Sequence, residues 1–137
     1  MTDDVSKRAS RVLMRHDRNG FRFGCDAYHS FAQLDRPSWW TPAHDARYDD
    51  VLGVYENYDK SERESLVFRV DRVNVLGESG FELRYEDIRS ISGISKDPIS
   101  DHIEITLASG RTVDLPCRRG NFDISAILKF LYGFLAK

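Results

Sequence analysis

The chain has 137 residues, 20 basic and 22 acidic, and its net charge of −2 argues against general nucleic-acid binding. This length predicts one domain with a sizeable core, and two cysteines, Cys25 and Cys117, are too few for a disulfide framework. No apolar run approaches the roughly 20 residues of a membrane-spanning helix, and residues 1–4 lack the layout of a signal peptide. We therefore expect a soluble cytoplasmic protein with free thiols.

Residues 1–49 are interpreted as an N-terminal extension that holds a basic helix and a tryptophan-containing loop. Apolar residues recur on one side of a helix within residues 1–18, and several arginines make that helix basic. Asn19-Gly20 predicts a tight turn. The alternating run Phe21-Arg22-Phe23 that follows predicts a short strand.

Cys25 and His29 are the first candidates for chemistry, because both residue types bind metals and act in catalysis. Their C-x3-H spacing supplies one pair of ligands, whereas a structural zinc site usually needs four. A thiol and an imidazole at this spacing are also common by chance, so a nucleophile and base pair is not indicated. The sequence has no glycine-rich phosphate loop, nucleophile elbow or HExxH motif. We predict no metal, no cofactor, no catalytic residue and no enzymatic activity.

Trp39 and Trp40 lie between Pro37 and Pro42, in a segment too interrupted for a helix or a central strand. One interpretation is a loop whose tryptophans plug the edge of the core. The other is a binding surface, because exposed tryptophans often anchor interfaces.

From residue 50 onward the sequence predicts six or seven short antiparallel strands. The runs are 51–58, 66–76, 81–85, 88–94, 103–107 and 112–115. Apolar residues alternate with polar ones, which gives each strand one dry and one wet face. In the last hairpin a two-residue loop would place Asp114 opposite Ile105. A three-residue loop at residues 109–111, which pairs Ile105 with Leu115, keeps the apolar face intact and is preferred.

The final element is predicted as a helix from Ile124 to Leu135. Asp123 is a suitable N-cap for the free backbone donors of its first turn. An apolar stripe at helical spacing predicts that one side packs on the sheet. Phe130 and Tyr132 lie off that stripe and are predicted to be exposed.

The strand order, the run Tyr85-Glu86-Asp87-Ile88-Arg89-Ser90-Ile91, the hairpin at residues 107–111 and the closing helix resemble bacterial pleckstrin-homology-like (PH-like) domains. The resemblance covers residues 50–137. It implies a mainly β, α+β fold: a small antiparallel barrel or sandwich of about seven strands closed by one C-terminal helix. It also implies a scaffold that binds proteins or lipid head groups, usually without catalysis.

Two functional hypotheses follow, and the sequence leaves the oligomeric state open. The first is a non-catalytic binding module for a protein partner, such as a toxin-neutralising immunity protein or a regulatory subunit. Its predicted contacts are aromatic: Trp39, Trp40, Tyr55, Tyr58 and Phe130. The alternative is binding to a membrane surface or an anionic lipid head group, with Arg111, Arg118 and Arg119 as candidates. Salt dependence would separate them, because charge-driven binding weakens steeply with ionic strength.

Overall fold

The computed structural model describes residues 2–78, 80–92 and 101–135. Within them lie three helices, α1 (Thr2–Val12), α2 (Pro42–Arg47) and α3 (Asn121–Leu135). The strands are β1 (His16–Arg18), β2 (Phe21–Phe23), β3 (Tyr28–Ser30), β4 (Val51–Tyr55), β5 (Leu66–Arg69), β6 (Arg72–Val75), β7 (Phe81–Arg84), β8 (Ile88–Ile91), β9 (His102–Leu107) and β10 (Thr112–Pro116). The strand predicted over residues 88–94 is β8, and residues 93 and 94 lie outside the described ranges.

The strands form three antiparallel sheets. β1 pairs with β2, the strands β3 to β7 form a five-stranded sheet in chain order, and β8 to β10 form a three-stranded sheet. Neighbouring strands therefore follow each other in sequence, which short turns allow in antiparallel pairing. The mainly antiparallel α+β class is confirmed. The described strands number ten rather than about seven, because β1, β2 and β3 come from the first 49 residues, and these sheets do not close into a barrel.

The β9–β10 hairpin corrects the predicted register. Ile105 lies opposite Val113, not Leu115, and Asp114 lies opposite Glu104 on the wet face. The Leu107 N–H donates to the Arg111 carbonyl, so the loop has the expected three residues but starts one residue earlier, at 108–110. Gly110 sets this position, because its φ of +91° belongs to the left-handed region that such a loop needs.

The five-stranded sheet separates two apolar clusters. On β4, Val54 faces one cluster and its neighbour Tyr55 faces the other, as alternating side chains must. The larger cluster joins this sheet to the three-stranded sheet, α1 and α3. The smaller one buries Tyr48, Val54, Val67 and Leu76 beneath Phe31, Trp39, Trp40 and Val51. Both faces of the sheet are thus covered, and residues 31–48 supply the second cover.

Helix α3 departs from the prediction in two ways. It begins at Asn121, so Asp123 lies inside the first turn and is not its N-cap. Phe130 is fully buried, and the expectation that it is exposed is wrong, whereas Tyr132 is 42% exposed as predicted. Phe130 is buried because α3 is covered on two sides, by the sheets and by α1.

Arg8 joins α1 to the end of α3. Its Nη2 donates to the Phe130 carbonyl at 2.9 Å, and its guanidinium lies 4.2 Å from the centre of the Phe134 ring. Gly133 makes room for this contact, because a Cβ there would stand 2.5 Å from the Arg8 Cζ. A positive charge near a helix C-terminus also complements the helix dipole.

Candidate functional site

The aromatic residues predicted to bind a partner lie in different environments. Tyr55 and Phe130 have no exposed surface, so neither offers a contact to a partner in this structure. Trp39, Trp40 and Tyr58 are half-buried. Tyr58 is partly covered by Arg63, whose guanidinium lies 4.7 Å from the ring centre.

Trp39 is tied to the five-stranded sheet through Glu56, which follows β4. The indole Nε1 donates to Glu56 Oε2 at 2.8 Å, and only 7% of the Glu56 side chain is exposed. His29 of β3 reaches the other oxygen of the same carboxylate, with 2.5 Å between Nε2 and Oε1. Arg119 Nε donates to the Glu56 carbonyl at 2.6 Å. Glu56 is therefore a buried polar centre that holds the tryptophan loop, residues 37–42, against the sheet.

Trp40 is held by α2, the short helix that follows it. Its Nε1 donates to Asp45 at 2.8 Å, and its ring stacks on His44 with 4.9 Å between ring centres. Phe31 meets the same indole edge-on at 5.1 Å. Both indole N–H groups therefore have partners within the chain. This favours the interpretation in which the tryptophans cover the core.

His29 bridges two carboxylates, and this determines its charge. Its Nδ1 lies 3.0 Å from Asp35 Oδ1, while its Nε2 faces Glu56. Burial alone lowers the pKa of His29, but the hydrogen bonds to Asp35 and Glu56, with their charges, raise it above the ordinary 6.5. Only the protonated ring can donate to both carboxylates at once. The Asp35–His29–Glu56–Trp39 chain is thus most complete when His29 is charged.

A second polar centre surrounds Asp123 at the start of α3. The Tyr55 hydroxyl donates to Asp123 Oδ2 at 3.0 Å, and Arg22 Nη2 lies 2.9 Å from Oδ1. The backbone N–H of Asp26 donates to the same Oδ1 at 3.4 Å. Burial raises the pKa of Asp123, although these hydrogen bonds and the Arg22 charge act in the opposite direction. These contacts connect Arg22 and Asp26, which follow α1 in the chain, to α3. An N-cap would have bonded only to the backbone of its own helix.

The two cysteines are buried and free. Burial raises the pKa of Cys25 well above its ordinary value, and it raises that of Cys117 as well. Cys25 donates to the Asp123 carbonyl at 3.6 Å, whereas His29 contacts Asp35 and Glu56. The structure thus gives this thiol and this imidazole different partners. Reactive thiols are accessible and ionised, and neither cysteine meets that description.

The three arginines predicted to bind anions do not form one cationic site. Arg111 is exposed at the β9–β10 loop, and Arg119 is held by the Glu56 carbonyl. Arg118 donates to Glu64 Oε1 and Asp101 Oδ2, each at 2.9 Å. The hydrogen bond from Arg118 lowers the pKa of Glu64, which keeps this pair ionised.

Arg118 also lines a cavity of about 450 Å³ beside the end of β10. The charged and titratable side chains of its lining have both signs: Arg63, Glu64, Glu78, His102, Asp114 and Arg118. Since the carboxylates outnumber the arginines, this cavity does not concentrate the positive charge that a phosphorylated head group requires.

A different surface presents its apolar side chains to solvent. Phe21 and Phe122 are each 68% exposed and Phe23 is 45% exposed; we call these three residues the phenylalanine patch. Phe21 and Phe23 share one face of β2 because they are two residues apart on a strand. Phe122 is the second residue of α3, and it lines one groove together with Phe23 and with Arg22, whose Cζ is 5.1 Å from the Phe122 ring centre.

Sequence reasoning missed this patch. The alternation of Phe21 and Phe23 is normally the sign of a dry strand face. Here the hairpin β1–β2 forms a sheet of its own, and nothing in the described residues covers that face fully. The available signal was the Asn19-Gly20 turn, which predicts a two-stranded hairpin at this position.

Comparison with protein-family models, with curated proteins and with solved structures finds no match to this chain. Among α1, α2 and α3, no helix is long and apolar enough to cross a membrane. Within residues 2–78, 80–92 and 101–135, no group of three or more His, Cys, Asp or Glu side chains is placed to hold a metal ion.

Proposed function

We propose that the chain is a non-catalytic binding module whose partner is a protein. The observation that carries this proposal is the phenylalanine patch, where three large aromatic side chains are exposed at 45–68% around one hairpin and one helix end. Single exposed apolar residues are normal on a surface, but grouped ones are characteristic of interaction sites. Aromatic residues are also enriched at the centres of protein interfaces.

The order and pairing of β4 to β10, followed by α3, support a PH-like scaffold for this module. Strands β4 to β7 pair in succession, β8 to β10 do the same, and α3 follows and contacts the second sheet. One fold carries many functions, so the scaffold alone does not identify the partner. A module of this type would act by covering a surface of its partner, as immunity proteins and regulatory subunits do.

The contacts of the tryptophan loop favour a binding surface other than the one predicted from the sequence. Trp39 and Trp40 use their indole N–H groups within the chain, and their rings cover the smaller apolar cluster. Phe21, Phe23 and Phe122 have no comparable polar group to satisfy. They gain most from burial against a partner, at roughly 25 cal/mol for each Å² removed from water.

Affinity capture from the source cell tests the proposal. The full chain serves as bait, each captured protein is identified and purified, and its binding to the bait is measured again by calorimetry. We expect a purified protein to bind the wild-type chain, and the variant Phe21→Ser/Phe122→Ser to bind it at least about tenfold more weakly, since hot-spot aromatics contribute about 2 kcal/mol or more.

The matched control is Leu34→Ser, which removes an exposed apolar side chain (84% exposed) outside the patch. It should bind as the wild type does. The proposal is wrong if no captured protein binds again in purified form, or if the patch variant binds as well as the Leu34 control.

A further inference from the structure

A groove runs beside the phenylalanine patch, and its walls come from three elements. It has a volume of about 190 Å³, and α1, β2 and α3 supply its lining. On α3 the lining residues are Phe122, Ser125, Ala126 and Lys129, one helix face at the spacing i, i+3, i+4 and i+7. The remaining lining residues are Arg11, Val12, Arg22, Phe23 and Gly24.

The floor of the groove is apolar and its rim is basic. Val12 and Ala126 are buried, whereas Arg11 of α1 and Lys129 of α3 are exposed. Among the described residues that line the groove, none is acidic.

Arg22 plays a different part from the two rim cations. Its charge is balanced by Asp26 at 3.1 Å and Asp123 at 2.9 Å, so it adds little net charge to the groove. Its Nε–H, however, is buried and has no acceptor among the described residues. Arg22 therefore carries a buried donor without a partner in the described part of the chain, which costs free energy. Because this Nε atom is itself covered by protein, it does not offer a contact to a ligand in the groove.

We propose that this groove binds an acidic segment of a protein partner, with an aromatic or aliphatic side chain of that segment on the apolar floor. This rests on the proposed function and adds the chemistry of the partner. Carboxylates next to the inserted side chain would meet Arg11 of α1 and Lys129 of α3, which both line the groove. Charge complementarity of this kind increases the association rate and selects against basic partners.

A membrane surface fits these observations less well. The buried Val12 and Ala126 form the floor of a concave site, which an inserted side chain can fill and a bilayer surface cannot follow. The net charge of −2 also opposes attraction to an anionic bilayer.

The test selects short peptides from a random displayed library on the immobilised full chain. We expect the selected peptides to share acidic residues next to an aromatic or aliphatic one. The variant Arg11→Glu/Lys129→Glu should bind a synthetic selected peptide at least about tenfold more weakly in fluorescence anisotropy, and added salt should weaken wild-type binding. Ser125→Trp, which fills the groove from an exposed position, should weaken binding without any change of charge.

The matched control is Arg89→Glu/Arg111→Glu, which makes the same charge change at exposed positions outside the lining. The proposal is overturned if no peptide is selected, if the selected peptides are neutral or basic, or if both double variants bind them equally. Binding of the chain to phosphatidylcholine and phosphatidylserine vesicles that is lost in Phe21→Ser/Phe23→Ser would also overturn it, because the surface would then recognise a membrane. A purified protein partner that still binds Arg11→Glu/Lys129→Glu would overturn the groove alone and leave the proposed function intact.

Discussion

The tryptophan loop and the phenylalanine patch are both aromatic, both belong largely to the first 49 residues, and have opposite fates. Trp39 and Trp40 find acceptors for their N–H groups in Glu56 and Asp45 and cover the back of the five-stranded sheet. Phe21 has no polar group to satisfy and stays 68% exposed on a hairpin that forms its own sheet. Aromatic residues thus pack onto the core where the fold provides a hydrogen-bond acceptor for their polar group and a sheet face that no other element covers.

The largest effect should come from removing the acceptor that fixes the tryptophan loop. We expect Glu56→Ala to lower the free energy of unfolding by about 3 kcal/mol, because it leaves buried donors of Trp39 and His29 unpaired. Glu86→Ala, at a site with 70% of the side chain exposed, should change it by about 0.5 kcal/mol or less. Urea unfolding measures both. Equal losses would mean that Glu56 does not hold the loop.

The second largest effect on stability should distinguish Trp39 from Trp40. Trp39→Phe removes a hydrogen bond to a buried carboxylate and should cost about 1.5 kcal/mol. Trp40→Phe removes one to the exposed Asp45, which water can replace, and should cost about 0.5 kcal/mol. Urea unfolding of the two variants gives the difference. A larger loss for Trp40→Phe would contradict the role assigned to Glu56.

A smaller effect should depend on pH through His29. Its pKa in the folded chain lies above 6.5, so its contribution is fully present below that value and declines as pH rises through the folded pKa. We expect the stability advantage of the wild type over His29→Gln to be constant at pH values well below 6.5 and to shrink as the pH rises above that value. Urea unfolding of both proteins at each pH isolates this residue, since groups unaffected by the substitution cancel. An advantage that grows with pH would show that the neutral ring is the preferred state.

The smallest effect on stability should come from the phenylalanine patch. We expect Phe21→Ser and Phe122→Ser each to change the free energy of unfolding by about 0.5 kcal/mol or less, because both side chains are 68% exposed. Urea unfolding of the two variants and of the wild type measures this change. A loss similar to that of Glu56→Ala would place the patch in the core and remove the basis for a binding surface.

Local patterns predicted the strand faces well. Ile103 and Ile105 alternate with wet residues, and the structure buries both. The hairpin register was predicted only up to parity: an even shift preserves the dry face, and the choice between the two even registers depended on which residue adopts the left-handed conformation. Gly110 made that choice, with a φ of +91°.

Local sequence patterns could not predict the contacts between segments that are distant in the chain. A helical stripe identifies one packing face, but α3 is covered twice, so Phe130 is buried although it lies off that stripe. Asp123 has the residue type of an N-cap, yet its carboxylate serves Tyr55 and Arg22 instead. No periodicity in the sequence reports that Arg22 and Asp123 meet across 101 positions.

The contact of Arg8 with Phe130 spans 122 positions, which makes the first helix dependent on the last. During synthesis α1 leaves the ribosome long before α3 exists. Its apolar face, including Ala9, Val12 and Leu13, must remain without its final cover until α3 has been made. Closing so long a loop is slow compared with forming a local hairpin. The segment that carries Arg8 and its neighbours therefore stays without its final packing partner for longer than a local hairpin does, and we expect chaperones to protect it until folding is complete.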